Sequence, residues 1–124
     1  MTMKPLKNKS LRLILLFFSM IAFAGCTSAQ DSKDIKRMIA DGAYLVDVRT
    51  SQEYEEGHVE GSVNIPVDAV AANLDKFKNK KNIIVFCRSG SRSANAKQIL
   101  EDNGIKNVIN GGSWEAVNAL MTSK

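Results

Sequence analysis

Histidine occurs once in this chain and cysteine twice, at Cys26 and Cys87. One histidine with one available cysteine does not make a metal ligand set, so neither a metal nor another cofactor is expected. A clustered basic face is missing as well, and nucleic acid is not an expected partner. There is no internal repeat. The longest apolar run, Leu11 to Ala24, is interrupted by Arg12 and Ser19. It falls short of the roughly 20 residues that cross about 30 Å of hydrocarbon.

What is present begins with that run. "MTMKPLKNKSLRLILLFFSMIAFAGC" opens with Lys4, Lys7, Lys9 and Arg12, turns apolar, and stops at Gly25-Cys26. A basic start, a short apolar core and a small-residue cleavage site are the pattern of a secretory signal peptide. An uncleaved signal anchor is the alternative, because hydropathy does not report cleavage. The ending "FAGC" resembles a bacterial lipobox, with Phe23 where leucine is usual. That resemblance implies a lipidated Cys26 as the new N-terminus and an exported periplasmic or cell-envelope protein, anchored to a bacterial membrane by lipid.

The expected organisation is a signal peptide over 1–25, lipidated Cys26 with the polar tether "TSAQDS" to residue 32, and a domain over 33–124. Removing 25 of the 124 residues leaves 99, enough for one small domain. Losing four of the 17 basic residues leaves 13, equal to the 13 acidic ones. With Cys26 committed to lipid, Cys87 is a lone thiol in an oxidising compartment. Such a thiol is either buried and inert or retained because it reacts.

From Ser32 onward the apolar spacing alternates between helix and strand periods. "SKDIKRMIADG" places Ile35, Met38 and Ile39 on one helix face, with Ser32 as N-cap and Gly42 as C-cap. "AYLVDV" reads as a strand, "SQEYEEG" as a capped helical turn from Ser51, and "SVNIP" as a short strand closed by Pro66. "VDAVAANLDKF" has Val67, Val70, Leu74 and Phe77 at helical spacing, and the run Lys76, Lys78, Lys80 and Lys81 reads as a solvated turn. "NIIVFC" is the most continuous apolar strand, followed by the helix "SANAKQILEDNG", the strand "KNVIN" and the helix "SWEAVNALM". Short, non-alternating strands separated by helices predict an α/β fold, a mainly parallel sheet covered on both faces. Ligands in such folds sit beyond the carboxyl ends of the strands, which is where Cys87 falls.

The stretch after that strand is "CRSGSRS", Cys87 to Ser93. A loop there leading into a helix near Ser91 or Arg92 leaves backbone N–H groups without helical partners, next to the positive end of the helix. Such a cradle binds anions. Around a sulfur atom it lowers the thiol pKa and yields a thiolate nucleophile. Gly90 lets the backbone turn with positive φ, and the serines leave the opening clear.

"CRSGSRS" resembles the active-site loop of rhodanese-domain sulfurtransferases. "DVRTSQEYEEGHVEGSVNIP", Asp47 to Pro66, resembles their upstream signature. The likeness runs from Ile35 to Trp114. Two departures stand out: "AQDSKD" is too polar for the family's opening strand, and Trp114 lies closer to the glycines of "NGG" than usual. The resemblance implies a rhodanese-like sheet of 4–5 strands flanked by helices on both faces. It also implies that Cys87 takes sulfur from a small-molecule donor such as thiosulfate, releases sulfite and holds the sulfur as a persulfide. A thiol or cyanide then accepts it, in two covalent steps.

The backbone from Arg88 through Ser89, Gly90 and Ser91 to Arg92 is read as the substrate cradle. Arg88 has two open readings, a sulfonate ligand or a solvent-exposed cation. Arg92 is divided between donor binding and a structural pair with a carboxylate. Ser93 closes the loop on the structural side. Asp47 and Arg49 are read as a buried pair bracing the site. His58, by the resemblance, braces a loop and is not a base, because an ionised thiolate needs none. A cysteine-dependent phosphatase or arsenate reductase is the nearest chemical competitor, but its loops hold one residue more than the four between Cys87 and Arg92. A non-enzymatic persulfide carrier serving a protein partner is the competitor of another class. No feature fixes an oligomeric state, and a monomer is the working expectation.

Overall fold

The computed structural model describes residues 27–123, with side chains from residue 31. The proposed signal peptide and Cys26 lie outside the described residues. Residues from Ser32 onward form one compact unit. Its centre is a four-stranded parallel sheet in the order β2-β1-β3-β4, made of β1 (Tyr44–Asp47), β2 (Val63–Asn64), β3 (Ile83–Cys87) and β4 (Val108–Ser113). The helices are α1 (Thr27–Ala40), α2 (Ser51–Glu56), α3 (Ser91–Asp102) and α4 (Trp114–Thr122), with two 3-10 segments at Val67–Ala69 and Ala71–Phe77.

β1, β3 and β4 divide their side chains between two cores, because successive residues point to opposite faces. Val46, Val48, Ile83, Val85, Cys87 and Val108 meet Val70, Phe77, Ala96 and Leu100 on the face covered by the 3-10 segments and α3. Leu45, Ile84, Phe86 and Ile109 meet Ile35, Met38, Ile39, Val117 and Leu120 on the face covered by α1 and α4. β3 is central and all five of its residues are buried, which accounts for its unbroken apolar sequence. Covering both faces buries the apolar surface that drives folding, at roughly 25 cal/mol per Å².

Several boundaries differ from the sequence expectation. α1 starts at Thr27, so Ser32 lies inside the helix instead of capping it, and "TSAQDS" is helical. Its predicted apolar face holds, and Gly42 ends it with φ +83. The Val67 to Phe77 stretch forms 3-10 turns with a break at Asn73 (φ −123, ψ 28), where a single helix is expected. The Asn73 Nδ2 donates to the Ala69 carbonyl at 2.8 Å, a side-chain bond that competes with helical backbone pairing. Among the described residues the strands number four, within the expected 4–5.

β4 runs on through the two glycines to Ser113. Val85 pairs with Asn110 and Cys87 with Ser113, so two steps along β3 face three along β4. This is a β-bulge. Glycine is required in it: a Cβ at Gly111 would lie 2.9 Å from both Ile84 Cγ2 and Val117 Cγ2, and Gly112 has φ +79. The bulge sets Asn110 beside the loop that follows β3. Among the described residues, no helix is long and apolar enough to cross a membrane.

Candidate active site

β3 ends at Cys87, whose residue surface is wholly buried. The chain turns at Gly90 (φ 92, ψ −8) and enters α3 at Ser91. The left-handed φ suits glycine, and a Cβ here would stand 3.4 Å from the Gly112 Cα. The turn aims the Gly90 N–H at the Cys87 Sγ, 3.1 Å away, and brings the Ser93 Oγ to 3.5 Å from the same sulfur. Burial pushes the thiol pKa up. Hydrogen bonding from the Ser93 hydroxyl and from the backbone at Ser93, Ser89 and Gly90 outweighs that and brings it down to about 7. A substantial fraction of Cys87 is therefore thiolate at neutral pH.

The other loop side chains diverge. Arg88, Ser89 and Ser91 are exposed at the mouth. Arg92 reaches toward α2, where its Nη1 and Nη2 donate to the Glu53 Oε1 and Oε2 at 2.7 and 3.0 Å, and it stays near enough to Cys87 to interact with the sulfur. This two-pronged pair holds the Glu53 carboxyl down to about 2 and raises Arg92 above its ordinary value. Glu53 also closes a capping box with Thr50, so the first turn of α2 and the first turn of α3 are fastened together.

At the end of β1, Asp47 and Arg49 are buried as a pair, with Nη2 and Oδ2 2.7 Å apart. The Arg49 Nε donates to both Asp47 oxygens at 3.0 Å, its Nη2 to the Gly57 carbonyl at 2.7 Å, and its guanidinium lies 4.6 Å from the Trp114 ring centre. The Asn64 Nδ2 donates to the carbonyls of Asp47 and Arg49, tying β2 to the same corner. The Arg49 backbone N–H also donates to the Asp47 Oδ1 at 3.0 Å, so Asp47 is held on both oxygens. His58 is exposed, stacks on Tyr54 with ring centres 3.9 Å apart, and places its Nδ1 2.9 Å from the Tyr54 carbonyl. Its recorded contacts run to Tyr54 and none to Cys87. Among the described residues no cluster of three or more His, Cys, Asp or Glu side chains is placed to hold a metal ion.

A rhodanese-like domain model matches residues 31–120. The chain belongs to the rhodanese-like family. Among curated relatives, this rhodanese-like chain is 36% identical over 76 residues to the thiosulfate sulfurtransferase PspE of Escherichia coli, covering 60% of this chain and 73% of that one. It is 37% identical over 84 residues to a putative mitochondrial thiosulfate sulfurtransferase of Schizosaccharomyces pombe, covering 56% of this chain and 59% of the relative. A putative sulfur carrier protein of Bacillus subtilis, YrkF, is 36% identical over 66 residues, 53% of this chain and 36% of its own length. Among solved structures, a rhodanese with anions from Escherichia coli superposes with a TM-score of 0.55 at 33% identity, over 60% of this chain and 89% of that one.

Two residues of this rhodanese-like site escaped the sequence reading. Glu53 carried a usable signal, since Thr50 followed three residues later by glutamate is the capping-box spacing. Asn110, at the β4 bulge, accepts from the Ser93 hydroxyl at 2.7 Å and donates to the Gly90 carbonyl at 3.0 Å. An asparagine ahead of two glycines gives no local sign that it reaches a loop 17 to 20 residues upstream.

Proposed function

We propose that this protein is a sulfurtransferase that moves a sulfane sulfur from thiosulfate, or a donor like it, to a thiol or cyanide through a persulfide on Cys87. The observation that carries the reading is the Cys87 sulfur at a strand end, held by the Gly90 amide and the Ser93 hydroxyl with its pKa near 7. The Cys87 thiolate attacks the outer sulfur of thiosulfate. A Cys87 S–S bond forms, the donor's S–S bond breaks, and the electron pair leaves on sulfite. The persulfide carries one negative charge, which the loop amides stabilise as an oxyanion hole does. In the second step an acceptor thiolate attacks that outer sulfur and the electron pair returns to the Cys87 Sγ.

Cys87 has no exposed surface, so a donor reaches it when the exposed loop residues Arg88, Ser89 and Ser91 give way. A loop with only four residues between Cys87 and Arg92 suits one sulfur atom better than a phosphate ester. Arg92 is paired with Glu53 and also interacts with the Cys87 sulfur, while Arg88 is the exposed loop cation open to the sulfonate end of the donor. Steady-state thiocyanate formation from thiosulfate and cyanide tests the reading: parallel double-reciprocal lines are expected, and negligible turnover with a stable persulfide would favour a carrier for a protein partner. We also propose export with lipid attachment at Cys26, on the strength of the N-terminal pattern; Cys26→Ser then releases the protein into soluble fractions, and retention on membranes would refute the anchor.

A further inference from the structure

The amide of Asn110 has its orientation set by groups that can act in one way only. Its Oδ1 accepts from the Gly112 N–H at 2.9 Å, and its Nδ2 donates to the Gly90 carbonyl at 3.0 Å. Because Oδ1 can only accept, the 2.7 Å contact with Ser93 uses the single hydroxyl proton of Ser93. The Cys87 Sγ, 3.5 Å on the other side of that hydroxyl, then faces oxygen lone pairs. A thiol satisfies this arrangement, donating S–H to Ser93 while Ser93 donates to Asn110. A thiolate does not, since it can only accept. It draws on Ser93 only if the hydroxyl turns away from Asn110, and the Gly112 N–H keeps Oδ1 satisfied when that happens.

We propose that Asn110 is a positioning residue that competes with the Cys87 sulfur for the Ser93 proton, so that the Ser93 hydroxyl turns to sulfur when the sulfur is anionic and back to Asn110 when it is a thiol or a persulfide. In the persulfide the charge sits on the outer sulfur and Sγ becomes a weak acceptor, so the hydroxyl returns to Asn110. When an acceptor thiolate takes the outer sulfur, the S–S electron pair arrives on Sγ and Ser93 turns to meet it; no proton is transferred. Because Asn110 holds the hydroxyl in the persulfide and gives it up in the thiolate, it lowers the loaded state relative to the free thiolate and so favours storage over release. The persulfide half of this inference rests on the sulfur-transfer reading; the ionisation half does not.

Other charges near the sulfur are Arg92 at the start of α3, which is paired with Glu53 of α2 and also interacts with Cys87, and the exposed loop cation Arg88; both stay the same in the variants compared below. At the end of β1 lie Asp47 and Arg49, which neutralise each other. β4 contributes no ionisable side chain from Val108 to Ser113.

The test is the pH dependence of Cys87 alkylation by iodoacetamide in Asn110→Ala and Asn110→Asp, each with Ser93 present and with Ser93→Ala. Removing the competitor in Asn110→Ala is expected to lower the midpoint by about half a pH unit, roughly threefold more thiolate at pH 6. Asn110→Asp, which holds the hydroxyl more firmly, is expected to raise it. With Ser93→Ala the first shift disappears and the second shrinks. A rise in both variants, or shifts of the same size without Ser93, would overturn the proposal and leave Asn110 as a loop clamp. Should Asn110→Ala fail to fold by circular dichroism, the isosteric Asn110→Asp with and without Ser93 decides alone. Alkylation needs no sulfur donor. The predicted shifts in a protein that never forms a persulfide would uphold the ionisation half and dismiss the sulfur-transfer reading.

Discussion

β1 and β3 lie side by side, joined where the Val48 N–H meets the Phe86 carbonyl at 2.9 Å, yet their carboxyl ends treat charge in opposite ways. At the end of β1, a carboxylate and a guanidinium are buried together and satisfy each other, a carbonyl and an aromatic face. At the end of β3, one sulfur is held directly by dipoles, an amide N–H and a hydroxyl, with Arg92 near it but paired to Glu53. A fully paired ion has nothing left to offer a substrate and serves as structure. A charge held by dipoles keeps its reactivity while its pKa is tuned. In the proposed sulfur-transfer reading the same sheet edge thus supplies a rigid corner and a reactive one.

Breaking the rigid corner gives the largest effect. Arg49→Ala leaves Asp47 buried without its counter-ion and is expected to cost about 3–5 kcal/mol in urea unfolding. The double variant Asp47→Val/Arg49→Leu should lose less than Arg49→Ala alone, and an equal or larger loss would mean that the corner is valued for packing instead of charge pairing. At the reactive corner, Ser93→Ala removes the hydroxyl and is expected to raise the Cys87 alkylation midpoint from about 7. The rise should be about one pH unit, with a stability loss of only about 1 kcal/mol.

The tie between α2 and α3 gives the smallest effect. Because the Glu53 carboxyl is lowered from 4.5 to about 2 in the folded chain, its contribution is complete above pH 4.5 and is lost as pH falls toward 2. Glu53→Gln should therefore be less stable than the parent by about 1 kcal/mol at pH 7, since solvent at the edge of the pair screens it, and equal to it near pH 2. A difference that persists at pH 2 would locate the effect in packing.

Local sequence carried much of this. The apolar run Ile83 to Phe86, the loop composition from Cys87 to Ser93 and the spacing of Asp47 and Arg49 follow from period, turn chemistry and charge, each readable within a few residues. The strand order, the 3-10 geometry broken at Asn73 and the bulge at Gly111-Gly112 depend on what packs across the sheet. The bulge shows this best, because the need for glycine at Gly111 is created by Ile84 and Val117, residues from β3 and α4. Arg92 was open to two readings in sequence for the same reason: its partner Glu53 is 39 residues away. Asn110 was invisible until the bulge set it against Gly90 and Ser93.

The most direct test of the central claim is the intact mass of residues 27–124 after incubation with thiosulfate, beside Cys87→Ser. The account predicts a gain of about 32 Da, one sulfur atom, that is absent from Cys87→Ser and reversed by cyanide or a thiol. No gain with thiosulfate or with any low-molecular-weight persulfide donor, or a gain that survives in Cys87→Ser, would contradict it.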